Sequence, residues 1–172
     1  MSAHIDEDAL KASLLAQRKG PSEIALALAE AKAIQVSNSH PDDLVLGADQ
    51  VLQFGDELIS KCADMAAARR LLLRLRGKPH RLISALALAK AGTVSWTHSE
   101  SATLNMRTFS EDFLDAYLEA EGGGLLSGVG CYRLEERGAQ LFDSIEGDYF
   151  CILGLPLVPL LAELRRLGVI VR

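Results

Sequence analysis

The sequence has 172 residues, 49 % of them hydrophobic, and a formal net charge of -5. That is enough apolar content for a substantial core and too much for a disordered chain, in a length that suits one domain or two closely packed halves. The acidic balance argues against general affinity for nucleic acid or anionic membrane, and no stretch is apolar for long enough to span a bilayer.

The pattern predicts a first helix over residues 6–18 and a stronger one over SEIALALAEAKAIQVS, with Ser22 after Pro21 as its N-cap. The start, MSAHIDEDALK, is acidic and polar, unlike a signal peptide. After the turn NSHPDD comes LVLGADQVL, an apolar run that reads as a buried strand from Leu44, with Asp49 near its end. Charges at strand ends are where open α/β sheets place their chemistry, but Asp after Gly-Ala also suits a turn or a helix N-cap. Both readings of Asp49 stand at this point.

A short strand over 53–59 follows. Asp64 then opens the helix MAAARRLLLRLRG, which Gly77 ends in the C′ position. RLISALALAKAG and TVSWTHSESATLNM predict two strands joined by a turn at Ala91-Gly92. Ser110 caps EDFLDAYLEAEGG, with Glu111 and Asp112 favourable in the first turn. A Gly-rich segment, GGGLLSGVGCYRL, reads as a loop rather than a phosphate cradle. The strand-like GAQLFDSIEG and a final helix, LPLVPLLAELRRLG, with Pro156 and Pro159 near its start, complete the chain. Alternating helices and strands give an α/β or α+β class. There is no internal repeat and no low-complexity linker.

Generic catalytic motifs are absent: no P-loop, no GxGxxG, no HExxH, no nucleophile elbow. His4, His40, His80 and His98 are scattered, and Cys62, Cys131 and Cys151 are odd in number without metal-ligand spacing. Free thiols in a reducing, cytoplasmic setting are the simplest account. What remains is a spread of charges, Glu7, Lys32, Asp49, Lys61, Glu135 and Asp148. Carboxylates with lysines suit a magnesium-dependent phosphoanhydride hydrolase, in which carboxylates hold the cation and orient a water while lysines offset charge on phosphate oxygens. Taken singly, each is more commonly a solvated surface charge.

GADQV at 47–51, ISK at 59–61, AAARRLLLRLRGKPHRLIS and IEGDYFCILGLPLVPLL at 145–161 resemble the Maf family of nucleoside triphosphate pyrophosphatases, in order and spacing over nearly the whole chain. The resemblance implies an α/β fold with a long twisted mixed sheet flanked by helices, in two lobes with a central cleft, like inosine triphosphate pyrophosphatase. It implies a single domain over 1–172 that cleaves a nucleoside triphosphate to the monophosphate and pyrophosphate with a divalent cation, magnesium or manganese. Family members are often dimers, so a homodimer is expected, with a suspected link to septum formation. By the same resemblance Asp49 is the catalytic acid that activates water, and Lys32 and Lys61 are substrate-binding lysines. Glu7 matches the acid of the family's D-E pair, a candidate metal ligand. Gln50 and Glu135 stand where the 7-methyl-GTP branch has Gln and Glu, in place of the Thr and Gln of the dTTP/UTP branch. A carboxylate can accept from the N1-H and exocyclic amine of guanine.

Some positions depart from the family pattern. EERG at 135–138 stands for E-G-x-G, and Ser60 and Cys62 replace the Gly and Pro of G-K-P. The family's opening strand and S-x-S-P-R-R loop have no counterpart ahead of MSAHIDED, so the resemblance implies an N-terminally shortened domain. The alternative expectation is a catalytically impaired relative that binds nucleotide or a protein partner.

Overall fold

The computed structural model describes residues 5–171, so the expectations placed on His4 and the first residues lie outside it. In chain order the elements are α1 (Glu7–Ala16), α2 (Pro21–Ser39), β1 (Val45–Phe54), β2 (Glu57–Ile59), α3 (Met65–Leu75), β3 (Pro79–Lys90), β4 (Thr93–Met106), α4 (Glu111–Glu121), β5 (Phe142–Glu146), α5 (Tyr149–Ile152) and α6 (Leu157–Arg166). Two short 3₁₀ helices, Gly122–Ser127 and Arg137–Leu141, lie between α4 and β5. The expected α/β class holds, with the strands in one five-stranded sheet of order β2-β1-β3-β4-β5. The β1–β2 pair is antiparallel with Leu52 opposite Ile59, and the β4–β5 pair is antiparallel with Leu104 opposite Ile145.

The central strand is β3, and its burial follows from that place. Every residue from Leu82 to Ala89 is buried, because a strand with neighbours in the sheet and covered faces has no side left for solvent. β4 instead alternates between more and less buried positions along its first half, the period-two pattern of a strand with one wetter face. The two are joined at Ala91 and Gly92, whose φ values of 48° and 77° are the left-handed pair of a two-residue hairpin loop. The Gly92 N–H donates to Ser37 Oγ at 3.0 Å.

Several helix boundaries form as the sequence predicts. Asp64 accepts from the Ala67 N–H at 2.7 Å, Ser110 accepts from the Phe113 N–H at 3.2 Å, and Gly77 follows α3 with φ 71°. Four expectations are corrected. Ser22 is not the cap of α2: Gly20 is, Pro21 takes the first helical position, and the Gly20 N–H donates to Glu23 at 2.9 Å. β1 runs on to Phe54, so Asp49 lies in mid-strand and neither caps a helix nor sits in a turn, while Leu46 is 39 % exposed rather than buried. The second strand is only Glu57–Ile59, because Gly55, with φ 60°, turns the chain before it. GAQLFDSIEG is strand only from Phe142, and α5, capped by Asp148 accepting from the Cys151 N–H at 3.0 Å, had no predicted counterpart.

Two compact units share these elements. The first holds the described residues up to Gln50, Ile83–Ser101 and those from Asp148 onward. Its core includes Ile24, Ala25, Leu28, Ala29 and Ala33 of α2, and a cluster of Leu86, Leu88 and Leu160 against which Leu44, Ala48 and Trp96 pack. The second unit holds Val51–Leu82 and Ala102–Gly147. Its core includes Leu71, Leu72 and Leu75 of α3, with Leu104, Leu114, Leu125 and Leu141. Arg69 ties α3 to α4 in this unit, donating to Asp115 at 2.6 Å and to Glu111 at 2.7 Å.

Candidate active site

The site in the first unit begins with a glycine. A Cβ on Gly47 would lie 2.2 Å from the Ala29 carbonyl oxygen and 2.7 Å from the Ala33 nitrogen, so only glycine lets the backbone of α2 come this close to β1. Small residues complete the contact from the helix side, since both Ala29 and Ala33 are fully buried there. Side chains two apart on a strand share a face, so Asp49 points to the same helix as Gly47. Lys32 precedes Ala33 on that helix, and its Nζ donates to Asp49 Oδ1 at 2.6 Å.

Glu7 of α1 joins them, with Oε1 3.1 Å from Lys32 Nζ. The three side chains form a graded set: Asp49 is 8 % exposed, Lys32 23 % and Glu7 48 %. Burial alone would push the Lys32 ammonium towards losing its proton. Its hydrogen bonds and charge interactions with Asp49 and Glu7 outweigh that and hold its pKa above the usual lysine value. The lysine is therefore a fixed cation, and a fixed cation at 2.6 Å favours the ionised form of Asp49. An ionised, mostly desolvated carboxylate is the form of this side chain that can accept a proton.

Gln50, next along β1, points to the opposite face, as strand geometry requires. Its Nε2 donates to Ser84 Oγ at 2.9 Å and to the carbonyls of Cys151 and Ile152, each at 3.0 Å. Ser84, fully buried in β3, donates in turn to the Cys151 carbonyl at 2.7 Å. The amide nitrogen of Gln50 is thus engaged within the protein.

Lys61 and Glu135 belong to the second unit. Lys61 is exposed in the segment between β2 and α3. Glu135 is exposed in a turn ahead of Arg137–Leu141. That turn is tight, with Gly138 N donating to the Arg133 carbonyl at 3.1 Å, and Arg133 paired with Glu121 at 2.8 Å. The sequence-derived candidates therefore divide: Glu7, Lys32 and Asp49 meet around one ammonium, Gln50 faces away from them, and Lys61 and Glu135 are surface residues of the other unit. Asp148 is accounted for as the cap of α5. The three cysteines are free thiols.

Among the described residues no group of three or more His, Cys, Asp or Glu could hold a metal ion. Magnesium, however, takes one or two carboxylates and fills its remaining positions with water and phosphate oxygens. Glu7 and Asp49, two carboxylates already converging on one cationic group, fit that smaller demand. Sequence reasoning missed Gly47 and Ser84 as parts of the site. The signals were a glycine two positions before the aspartate, on its own face of the strand, and the lone hydroxyl in LISALALA.

A family model described as Maf-like protein matches residues 1–167. A nucleoside triphosphate pyrophosphatase of Caulobacter vibrioides is 53 % identical over 168 residues, covering 98 % of this chain and 84 % of that protein. A 7-methyl-GTP pyrophosphatase of Mesorhizobium japonicum is 51 % identical over 168 residues, with the same coverage of 98 % and 84 %. A nucleoside triphosphate pyrophosphatase of Granulibacter bethesdensis is 49 % identical over 164 residues, covering 95 % of this chain and 83 % of that protein.

Proposed function

The chain belongs to the Maf family, and on that premise we propose that it is a nucleoside triphosphate pyrophosphatase acting on a 7-methyl-GTP-type nucleotide. The observation that carries this reading is the Lys32–Asp49 pair at 2.6 Å with Glu7 beside it, a fixed cation and a desolvated carboxylate ready for proton transfer. Asp49 would take a proton from the attacking water as a new P–O bond forms at the α–β linkage. The bridging P–O bond then breaks, and pyrophosphate leaves with the electron pair. Lys32 keeps Asp49 ionised and oriented. Lys61 would offset phosphate charge, and Glu135 would accept from the guanine edge. A divalent cation, magnesium or manganese, when bound supplies neutralisation of charge on the phosphate oxygens; Glu7 and Asp49 are the residues that would hold it.

The 7-methyl-GTP preference is supported by Gln50 and Glu135 together and by relatives that carry that name. The same reading takes residues 1–172 as one Maf-like domain in a cytoplasmic homodimer with a part in septum formation and no nucleic-acid or membrane partner. Among the described residues no helix is long and apolar enough to cross a membrane, and the net charge of -5 disfavours nucleic acid.

Pyrophosphate release from a nucleotide panel, with and without magnesium, tests the proposal. The expected result is magnesium-dependent release, faster from 7-methyl-GTP than from UTP, and its loss in Asp49→Asn, which keeps the size but cannot act as a base at neutral pH. Release that Asp49→Asn leaves intact would move the chemistry elsewhere.

A further inference from the structure

Ser84 occupies a place where a hydroxyl is costly unless bonded, the middle of a strand segment buried on both faces. Its O–H is committed to the Cys151 carbonyl at 2.7 Å, which leaves its lone pairs for Gln50 Nε2 at 2.9 Å. Nε2 also faces the Cys151 and Ile152 carbonyls, so three acceptors surround one nitrogen that carries two hydrogens. Turning the amide over would set its oxygen against those carbonyls. The Gln50 side chain therefore has one orientation, nitrogen towards α5, and Ser84 completes the cage that fixes it.

This arrangement matters because α5 cannot hold itself. It has four residues, too few for a stable turn of helix in isolation. Its carbonyls take main-chain bonds from the residues just after it, Tyr149 O accepting from Leu153 N at 3.2 Å and Cys151 O from Gly154 N at 3.0 Å, so its end carbonyls draw on further donors. Gln50 supplies donors to two of them. The chain leaving α5 then curls past the same amide, with Gly154 at φ 91° and its Cβ direction 3.8 Å from Nε2. Tyr149 and Phe150, the half-exposed aromatic pair of α5, are placed by this contact. Gln50 is covalently next to Asp49, so a single peptide unit links the carboxylate on one face of β1 to the helix held on the other.

Resting on the function proposed above, we propose that Ser84 is a positioning residue for nucleotide selectivity. It acts on α5 together with Gln50, whose amide nitrogen helps set the position of α5 instead of bonding to the base, while the Ser84 hydroxyl bonds the Cys151 carbonyl directly. Selectivity at position 50 is then an effect of where the Tyr149–Ile152 segment is held.

The test is a double-variant cycle with Ser84→Ala, Gln50→Ala and the pair, reading the kcat/KM ratio for 7-methyl-GTP over UTP beside the urea midpoint. Ser84→Ala is expected to lower the ratio at least about threefold, and the double variant to fall short of the product of the two single effects, because both side chains hold the same Cys151 carbonyl. Should Ser84→Ala fail to fold, Ser84→Cys, similar in size and a weaker donor, is expected to lower the ratio in the same direction. A variant that loses stability while the ratio stays fixed overturns the inference, and so do effects that simply multiply in the double variant. Wild-type protein that turns over no nucleotide, or Asp49→Asn as active as wild type, sinks the proposed function and this inference with it. An active wild type, a dead Asp49→Asn and an unmoved ratio sink this inference alone.

Discussion

Gly47→Ala tests the link between packing and chemistry in the first unit. The added methyl would lie 2.2 Å from the Ala29 carbonyl oxygen and 2.9 Å from the Ala33 Cβ. A carbon and a carbonyl oxygen in contact sit about 3.3 Å apart, so α2 must withdraw from β1 by about 1 Å. Neither obstacle is the end of a flexible side chain, and the Ala29 oxygen is main chain, so the helix has to move as a body. Forced overpacking of this kind costs about 1–3 kcal/mol. In a chain of this length each kcal/mol lowers Tm by about 2–4 °C, giving a fall of about 2–12 °C. Lys32 rides on the same helix, so its 2.6 Å bond to Asp49 must be made from a backbone displaced by about 1 Å, with a changed angle of approach. A misplacement of that size costs about a hundredfold in turnover. Urea unfolding and pyrophosphate release would both be measured, with Gly123→Ala as the control, since a Cβ there meets nothing within 4 Å. A Gly47→Ala protein with an unchanged midpoint and unchanged turnover would refute the close approach as the basis of the site.

Lys32→Met should shift the acid limb of the pH profile of kcat/KM to higher pH, because Asp49 loses the cation that favours its ionised form; an unmoved limb would assign the base to another group. His80 is buried, with Nε2 2.7 Å from the Tyr132 hydroxyl, and burial pushes its pKa down from 6.5 to about 4. The unfolded chain therefore takes up a proton below pH 6.5 that the native protein refuses until about pH 4. Stability should be full above 6.5 and fall as pH drops between those values, by on the order of 3 kcal/mol in all. Urea midpoints at pH 7 and pH 5 read this, and His80→Phe should show a smaller fall between them; an equal fall in both proteins would assign the slope to other groups. Asp64→Ala and Ser110→Ala should each cost about 1 kcal/mol of stability by removing the cap acceptors for Ala67 and Phe113, measured by the same unfolding, and a neutral outcome would mean water replaces the cap.

The elements best read from the sequence were those fixed by neighbours in the chain. Asp64 and Ser110 cap, Gly77 ends α3 and Ala91-Gly92 turns the hairpin because each needs only residues a few positions away. Ser22 was misplaced for a local reason as well, since Pro21 fits the first helical position and Glu23 reaches back to Gly20. The residues that escaped are the ones whose role depends on distant chain. Asp49 has the same neighbours in sequence whether a strand ends at it or continues to Phe54, and only the pairing with β2 and the approach of α2 decide. Gln50 reads as a companion of Asp49, yet the alternation of a strand turns it to Ser84 and α5. Nothing near Ser84 in the sequence shows that its partner is the carbonyl of Cys151.

The division of the chain into units carries a consequence for biosynthesis. The first unit is made of three stretches, and the two stretches of the second are interleaved with them in sequence. Leu86 and Leu88 wait for Leu160, and Gln50 and Ser84 wait for Cys151, so synthesis must pass through the whole of Ala102–Gly147 before these partners exist. During that interval LISALALA, without a single charge, has no completed core to enter, and an apolar segment of this kind is open to association until its partners are made. Lys32 and Asp49 leave the ribosome early, but the unit that holds them is closed only when α6 has been made.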